Sequence, residues 1–164
     1  MRYNHIFNAV KERLITIEQL KLVTWYNNQG SDAIIHAVPA AYISFPDVLE
    51  AETLNNQNQH APITIRVHLY SKLHTNKDGS IRGSNMVTHE TLAGLIFDAL
   101  QSWSLDDKGE PVLNSMMRTR MELDMNEPGW AITTQDFECM VYQLPVTPDY
   151  TLQDKPPLGV VEWP

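Results

Sequence analysis

The sequence predicts an α+β fold: a mostly antiparallel sheet with two main helices packed on one face, plus an extended C-terminal arm. Three observations carry this expectation. Ile63, Ile65, Val67 and Leu69 alternate with Thr64, Arg66, His68 and Tyr70, the period of a half-buried strand. Leu92, Ile96, Ala99, Leu100 and Trp103 recur at helical steps and make an apolar stripe. Two alternating runs, 117–125 and 130–142, flank Asn126-Glu127-Pro128-Gly129, so turn and pattern together mark a hairpin. Helices interspersed with antiparallel strands build a layered α+β body.

In chain order, Phe7, Val10, Leu14 and Ile17 follow steps of three and four. This predicts a helix from about residue 5, with Asn4 as its N-cap. The β-branched stretch that follows predicts a short strand over residues 20–25. Asn27 to Asp32 is a turn by composition. Ala41-Tyr42-Ile43-Ser44-Phe45 is a strand closed by Pro46. Residues 50–61 are polar and read as a surface loop, ahead of the strand at 63–70. Residues 71–86 hold Asn76-Lys77-Asp78-Gly79-Ser80 and read as a loop or hairpin tip. Thr88 caps the second helix in this reading, with Val87 and Leu92 stapling its start. Asp106-Asp107-Lys108-Gly109 ends the segment. In the final strand the apolar phase shifts after Thr134, which predicts a bulge near Gln135.

The chain has 164 residues, 43% hydrophobic and 20% charged, the balance of a globular chain with its own core. The reading divides it into a single α+β domain at 1–144 and a proline-rich arm at 145–164. Five of the ten prolines fall in that arm, which forbids helix there. Twelve Lys and Arg stand against twenty Asp and Glu, a formal net charge of −8. An acidic chain is a poor general ligand for nucleic acid or for an anionic membrane. One cysteine, Cys139, excludes an intrachain disulfide and a thiolate zinc cluster. The N-terminal stretch reaches Lys11-Glu12-Arg13 before an apolar core of a signal peptide develops. No run is long enough to span a bilayer, and a reducing cytoplasm is the simplest compartment.

A search for chemistry returns no catalytic, cofactor or metal site. His89-Glu90 begins like a zinc-protease helix, but Ala93 stands where the second histidine belongs. Six histidines are scattered without ligand spacing. Ser80 is one place early for a nucleophile elbow. No phosphate-binding or dinucleotide fingerprint occurs. Cys139 falls on the inward face of a strand and reads as a small apolar side chain. Asp106, Asp107 and Asp124 are turn and hairpin carboxylates. Met116, Met117, Met121, Met125 and Met140 gather on the last hairpin; core filler is favoured over an adaptable contact surface. Lys72, His74, Lys77 and Arg82 form a local basic cluster suited to an acidic partner. Val160, Val161 and Trp163 give the arm something to bury against a neighbour.

The element order resembles the tail terminator or tail completion proteins of long-tailed bacteriophages and prophages, also called minor tail or head–tail joining components. The resemblance rests on the N-terminal helix, on Ala41-Tyr42-Ile43-Ser44-Phe45 before a polar loop, and on Ile63-Thr64-Ile65-Arg66-Val67-His68-Leu69-Tyr70-Ser71. The helix Thr88-His89-Glu90-Thr91-Leu92-Ala93-Gly94-Leu95-Ile96-Phe97-Asp98-Ala99-Leu100 and the closing strand pair complete it. It covers about residues 3–143. It implies a non-enzymatic virion structural protein without cofactors. The subunit would form a homo-oligomeric ring, commonly a hexamer, that caps the tail tube and joins it to the head. Its partners would be itself, the tail tube and head-completion proteins, in the bacterial cytoplasm during assembly and then in the virion tail. The competing reading is a small ligand-binding protein or enzyme whose site is assembled on the sheet face around Arg66, His68, Tyr70 and Arg120, with Arg118 beside them.

Overall fold

The computed structural model describes residues 3–27, 37–46, 52–53 and 59–143. The arm, with Val160, Val161 and Trp163, lies outside the described residues. The elements run α1 (Tyr3–Ile15), β1 (Leu22–Trp25), β2 (Ala40–Ser44), β3 (Glu52–Thr53), β4 (Gln59–Lys72), α2 (Gly83–Leu100), β5 (Leu105–Asp107), β6 (Glu110–Leu113), β7 (Met117–Asp124) and β8 (Trp130–Gln143). The fold is α+β. One sheet runs β1-β2-β4-β8-β6-β5, with β3 on β4 and β7 on β8. The pairs are antiparallel except β1 with β2, which is parallel.

Two 14-residue strands form the axis. β4 and β8 stay in register from Gln59↔Gln143 to Lys72↔Trp130. Ile63, Ile65, Val67 and Leu69 of β4, with Phe137, Cys139 and Val141 of β8, face the helices. α1 buries Ile6, Phe7, Val10 and Leu14, and α2 buries His89, Leu92, Ala93, Ile96 and Leu100. Each large side chain so buried contributes about 1.5–3 kcal/mol before the entropy of ordering is subtracted. Aromatic contacts tie α1 to the sheet edge: Phe7 stacks on Trp25 at 4.1 Å, and Tyr3 meets Phe45 edge-on at 5.1 Å. Arg13, in the last turn of α1, donates through Nε to the carbonyl of Ala99 and lies over the Trp103 ring. That one side chain bridges the C-terminal ends of both helices.

Several local expectations are corrected. α1 starts at Tyr3, so Asn4 lies inside the helix rather than capping it. Residues 50–61 are not all loop: β3 pairs there with the first residues of β4. α2 starts at Gly83, five residues before Thr88. The Thr88 hydroxyl instead donates back to the carbonyl of Ser84, and Val87 is 63% exposed and staples nothing. Residues 106–109 do not simply end a segment. Lys108 and Gly109 both have positive φ, 54° and 84°, the geometry of a two-residue hairpin turn joining β5 to β6.

The bulge lies on β7, not near Gln135. Register on β8 slips between Arg118 and Arg120, leaving Thr119 as the extra residue. β8 itself needs no bulge, because both faces of the sheet bury apolar groups. Trp130, Ile132 and Thr134 face away from the helices; Ala131, Thr133, Gln135 and Phe137 face toward them. A second cluster on the far face holds Ala40, Tyr42 and Tyr70, with Tyr26, Val38 and Ile132 against it. No helix among the described residues is long and apolar enough to cross a membrane.

Candidate interaction surfaces

The methionines of β7 are not core. Met117 is 61% exposed, Met121 50%, Leu123 45% and Met125 40%; only Met116, just ahead of the strand, is fully buried among these neighbours. The reason is topological. β7 pairs with β8 along one side, and α2 meets it at Arg118, whose guanidinium sits 4.2 Å over the Phe97 ring and whose N–H donates to Gln101 Oε1. Beyond that point Met121 and Leu123, opposite Gln135 and Thr133, have no helix above them among the described residues. The bulge turns Met117 to the other face, opposite Glu138. Alternation in the sequence reveals a strand but not whether anything covers its apolar side.

The basic cluster splits by position. Lys72 ends β4, and Leu73 to Arg82 form a small hairpin closed by the Thr75↔Ile81 bridge. Asn76 N–H donates to Ser80 O at 2.7 Å, and Asp78 accepts from Ser80 backbone and hydroxyl. Those bonds hold the Asp78 carboxyl below its usual range. Lys77 sits at this exposed tip. Arg82 precedes α2 without a side-chain cap. Lys72 and His74 instead turn back to line a cleft of about 290 Å³ with Lys21, Pro39, Asn85 and Thr88. Lys21 enters it because its N–H donates to the carbonyl of Pro39 at 2.8 Å, beside the cis Val38–Pro39 bond.

The floor of that cleft is a polar ladder that sequence reasoning missed. His89 is 1% exposed. Its Nδ1 is 2.7 Å from Ser71 Oγ and its Nε2 2.7 Å from Thr133 Oγ1. Burial lowers its pKa, so the ring is neutral at pH 7 and its two nitrogens serve one as donor, one as acceptor. Gln135 continues the ladder by donating to the carbonyl of Ala93 at 2.9 Å. These residues lock α2 to β4 and β8. The only sequence signal was the alternation of Ser71, Leu69 and Val67, which puts Ser71 on the helix side.

The far face brings together Arg66, His68, Tyr70 and Arg120 but not Arg118, which the bulge places under α2. Arg66 grips Asp136 through two bonds at 2.6 and 2.8 Å. Arg120 pairs with Glu122. His68 stacks on Tyr26 at 4.1 Å and lies between Ser44 Oγ and Thr134 Oγ1, at 3.2 and 3.3 Å. Burial, then the Arg66 charge, lowers the His68 pKa to about 4, against an opposing pull from Asp136. Tyr70 meets Tyr42 edge-on at 5.2 Å, and burial raises both phenol pKa values. Each of these side chains is engaged with its own neighbours: Arg66 with Asp136, Arg120 with Glu122, His68 with Tyr26, Ser44 and Thr134, and Tyr70 with Tyr42. Cys139 is buried, its thiol pushed up to about 12 by desolvation, so it carries no thiolate at neutral pH. No group of three or more metal-ligating side chains gathers among the described residues.

No family model and no curated protein matches the chain. Among solved structures, the fold is similar to a chain in the virion of a native gene transfer agent particle. The TM-score is 0.59 at 11% identity, over 84% of this chain and 95% of that one. The likeness is one of fold.

Proposed function

We propose that this chain is a structural subunit of a phage-like virion, of the tail terminator or tail completion kind, and that it acts by assembling rather than by catalysis. The observation that carries this reading is the β7 surface. Four large apolar side chains, Met121, Leu123 and Met125 with Met117 on the opposite face, stand 40–61% exposed on and just beyond a strand that among the described residues is bonded along one side only. Exposed apolar edge strands invite pairing, and proteins that stay alone usually blunt them. Methionine suits such a contact because its flexible thioether adapts to a partner's shape. The similarity of fold to a chain from a gene transfer agent virion supports the same class of role. In this reading the subunits close a ring, a hexamer by resemblance, that caps the tail tube and faces the head. The Lys72, His74, Lys77 and Arg82 region and the arm residues Val160, Val161 and Trp163 add contacts to neighbours. The ring needs no cofactor. Its overall negative charge keeps a DNA-conducting lumen from holding phosphates.

Electron micrographs of the purified full chain at high concentration test this reading. Closed rings of uniform subunit number are expected. Fields of single particles, with no rings on adding a tail-tube template, would overturn it.

A further inference from the structure

The cleft between β1, β4 and α2 is cationic on every charged position. Lys21 and Lys72 line it with His74, and none of its lining residues is a carboxylate. Among the described residues neither lysine is engaged in an ion pair; the pairs there are Arg66 with Asp136 and Arg120 with Glu122. The N-terminal turn of α2 adds its positive end, contributing no acidic side chain of its own. In a chain of net charge −8, such a cleft runs against the overall charge. Its volume, about 290 Å³, admits a few side chains rather than a folded module.

The complementary feature lies at the β5 edge of the same sheet. β1 ends the strand order on one side and β5 on the other. The β5–β6 hairpin carries Asp106, Asp107 and Glu110 against a single Lys108. Asp106 and Glu110 are exposed, and none of the three acids is in an ion pair among the described residues. The two-residue turn holds the hairpin in a fixed shape. The recess lies at the N-terminal end of α2 and the acidic projection follows its C-terminal end, so the two cannot meet within one subunit. They can meet between copies, head to tail, the kind of contact that generates rings.

We infer that the acidic β5–β6 hairpin of one subunit docks in the Lys21–Lys72–His74 cleft of the next, setting the direction of assembly. The inference rests on the ring reading and names its self-contact. The apolar β7 surface supplies area; the charge pair supplies orientation, because like-charge juxtaposition penalises the reversed arrangement.

Sedimentation velocity on full-length variants tests it. Lys21→Glu/Lys72→Glu and Asp106→Lys/Glu110→Lys each change exposed side chains, so both should keep the wild-type melting curve. Each alone should weaken self-association by about tenfold or more. An equimolar mixture of the two should restore it, since every hairpin then meets a cleft of opposite sign. Should a double variant misfold, Lys72→Gln and Asp106→Asn should each still weaken self-association, by a smaller factor and without rescue on mixing, because a neutralised group cannot replace the lost charge; unchanged association of both would overturn the inference. Wild-type assembly with variants that assemble equally well, or a mixture that stays apart, would overturn the inference and leave the ring reading standing. A wild-type chain that never associates would overturn both. Duplex DNA bound by the wild type and released by Lys21→Glu/Lys72→Glu, with self-association unchanged, would assign the cleft to phosphate instead.

Discussion

Arg66 and Asp136 stand directly opposite each other on β4 and β8 and close a two-pronged ion pair on the sheet face away from the helices. Asp136 is only 6% exposed. Removing the guanidinium would leave a nearly buried carboxylate without its main partner, while removing the carboxylate would leave a charge in the middle of the sheet. Asp136→Ala is therefore expected to cost about 2 kcal/mol of unfolding free energy. The Arg66→Ala/Asp136→Ala double variant should lose less than the sum of the two singles. Urea denaturation of the four proteins measures this; strict additivity would mean that the pair contributes no coupling.

His68, on the same face as that pair, and His89, under α2 on the other face, predict a pH response. In the folded chain burial lowers the His68 pKa from the ordinary 6.5 to about 4, and lowers that of His89 as well. Between these values the unfolded chain binds protons that the folded chain refuses, so falling pH favours unfolding. Stability is expected to be full above pH 6.5, to decline as pH falls toward about 4, and for the His68 contribution to level off below that. An NMR titration of the His68 ring with a midpoint near 6.5 would contradict this account. His68→Asn should remove part of the slope.

The β5–β6 turn places a lysine in the left-handed region, at φ 54°. Asparagine tolerates that conformation better than lysine. Lys108→Asn is expected to stabilise the fold by about 0.5 kcal/mol. Gly109→Val, at φ 84°, should destabilise it by about 1 kcal/mol or more. Thermal melts of both variants check the signs.

The β7 surface separates folding from assembly. Met121→Lys/Leu123→Lys changes two exposed side chains, so the melting midpoint should hold nearly constant while association falls sharply. By contrast Ile96→Ala, at a fully buried site, should cost about 2–5 kcal/mol. Deleting residues 146–164 should weaken assembly and spare the fold; an unfolded truncation would mean that the arm is part of the core.

The legibility of this chain followed periodicity. β4 was readable because eight residues alternate without a break, and the register of β4 with β8 carries that alternation through the sheet. The stripe of Leu92, Ile96 and Leu100 was readable because a single helix face is buried. The β5–β6 hairpin was not, because its strands are short and charged and its turn uses Lys108 where asparagine would have signalled it. The start of α2 was misplaced because Thr88 looks like a cap, whereas Gly83 to Val87 form an exposed first turn that no apolar pattern marks. The exposure of Met121 and Leu123 was hidden for a different reason: it depends on how far α2 extends over the sheet, which no local pattern encodes. The cleft joins Lys21, Lys72 and Asn85 from three separated segments, so only the folded chain brings it together.

Solution mass by light scattering across a concentration series tests the central claim, that this subunit exists to assemble. The monomer mass is 18.7 kDa. The account predicts a rise from that value to one discrete multiple, sixfold for the hexameric ring, with Met121→Lys/Leu123→Lys held at the monomer. A wild-type mass that stays at 18.7 kDa at every concentration, with a tail-tube template added as well as without, would contradict it.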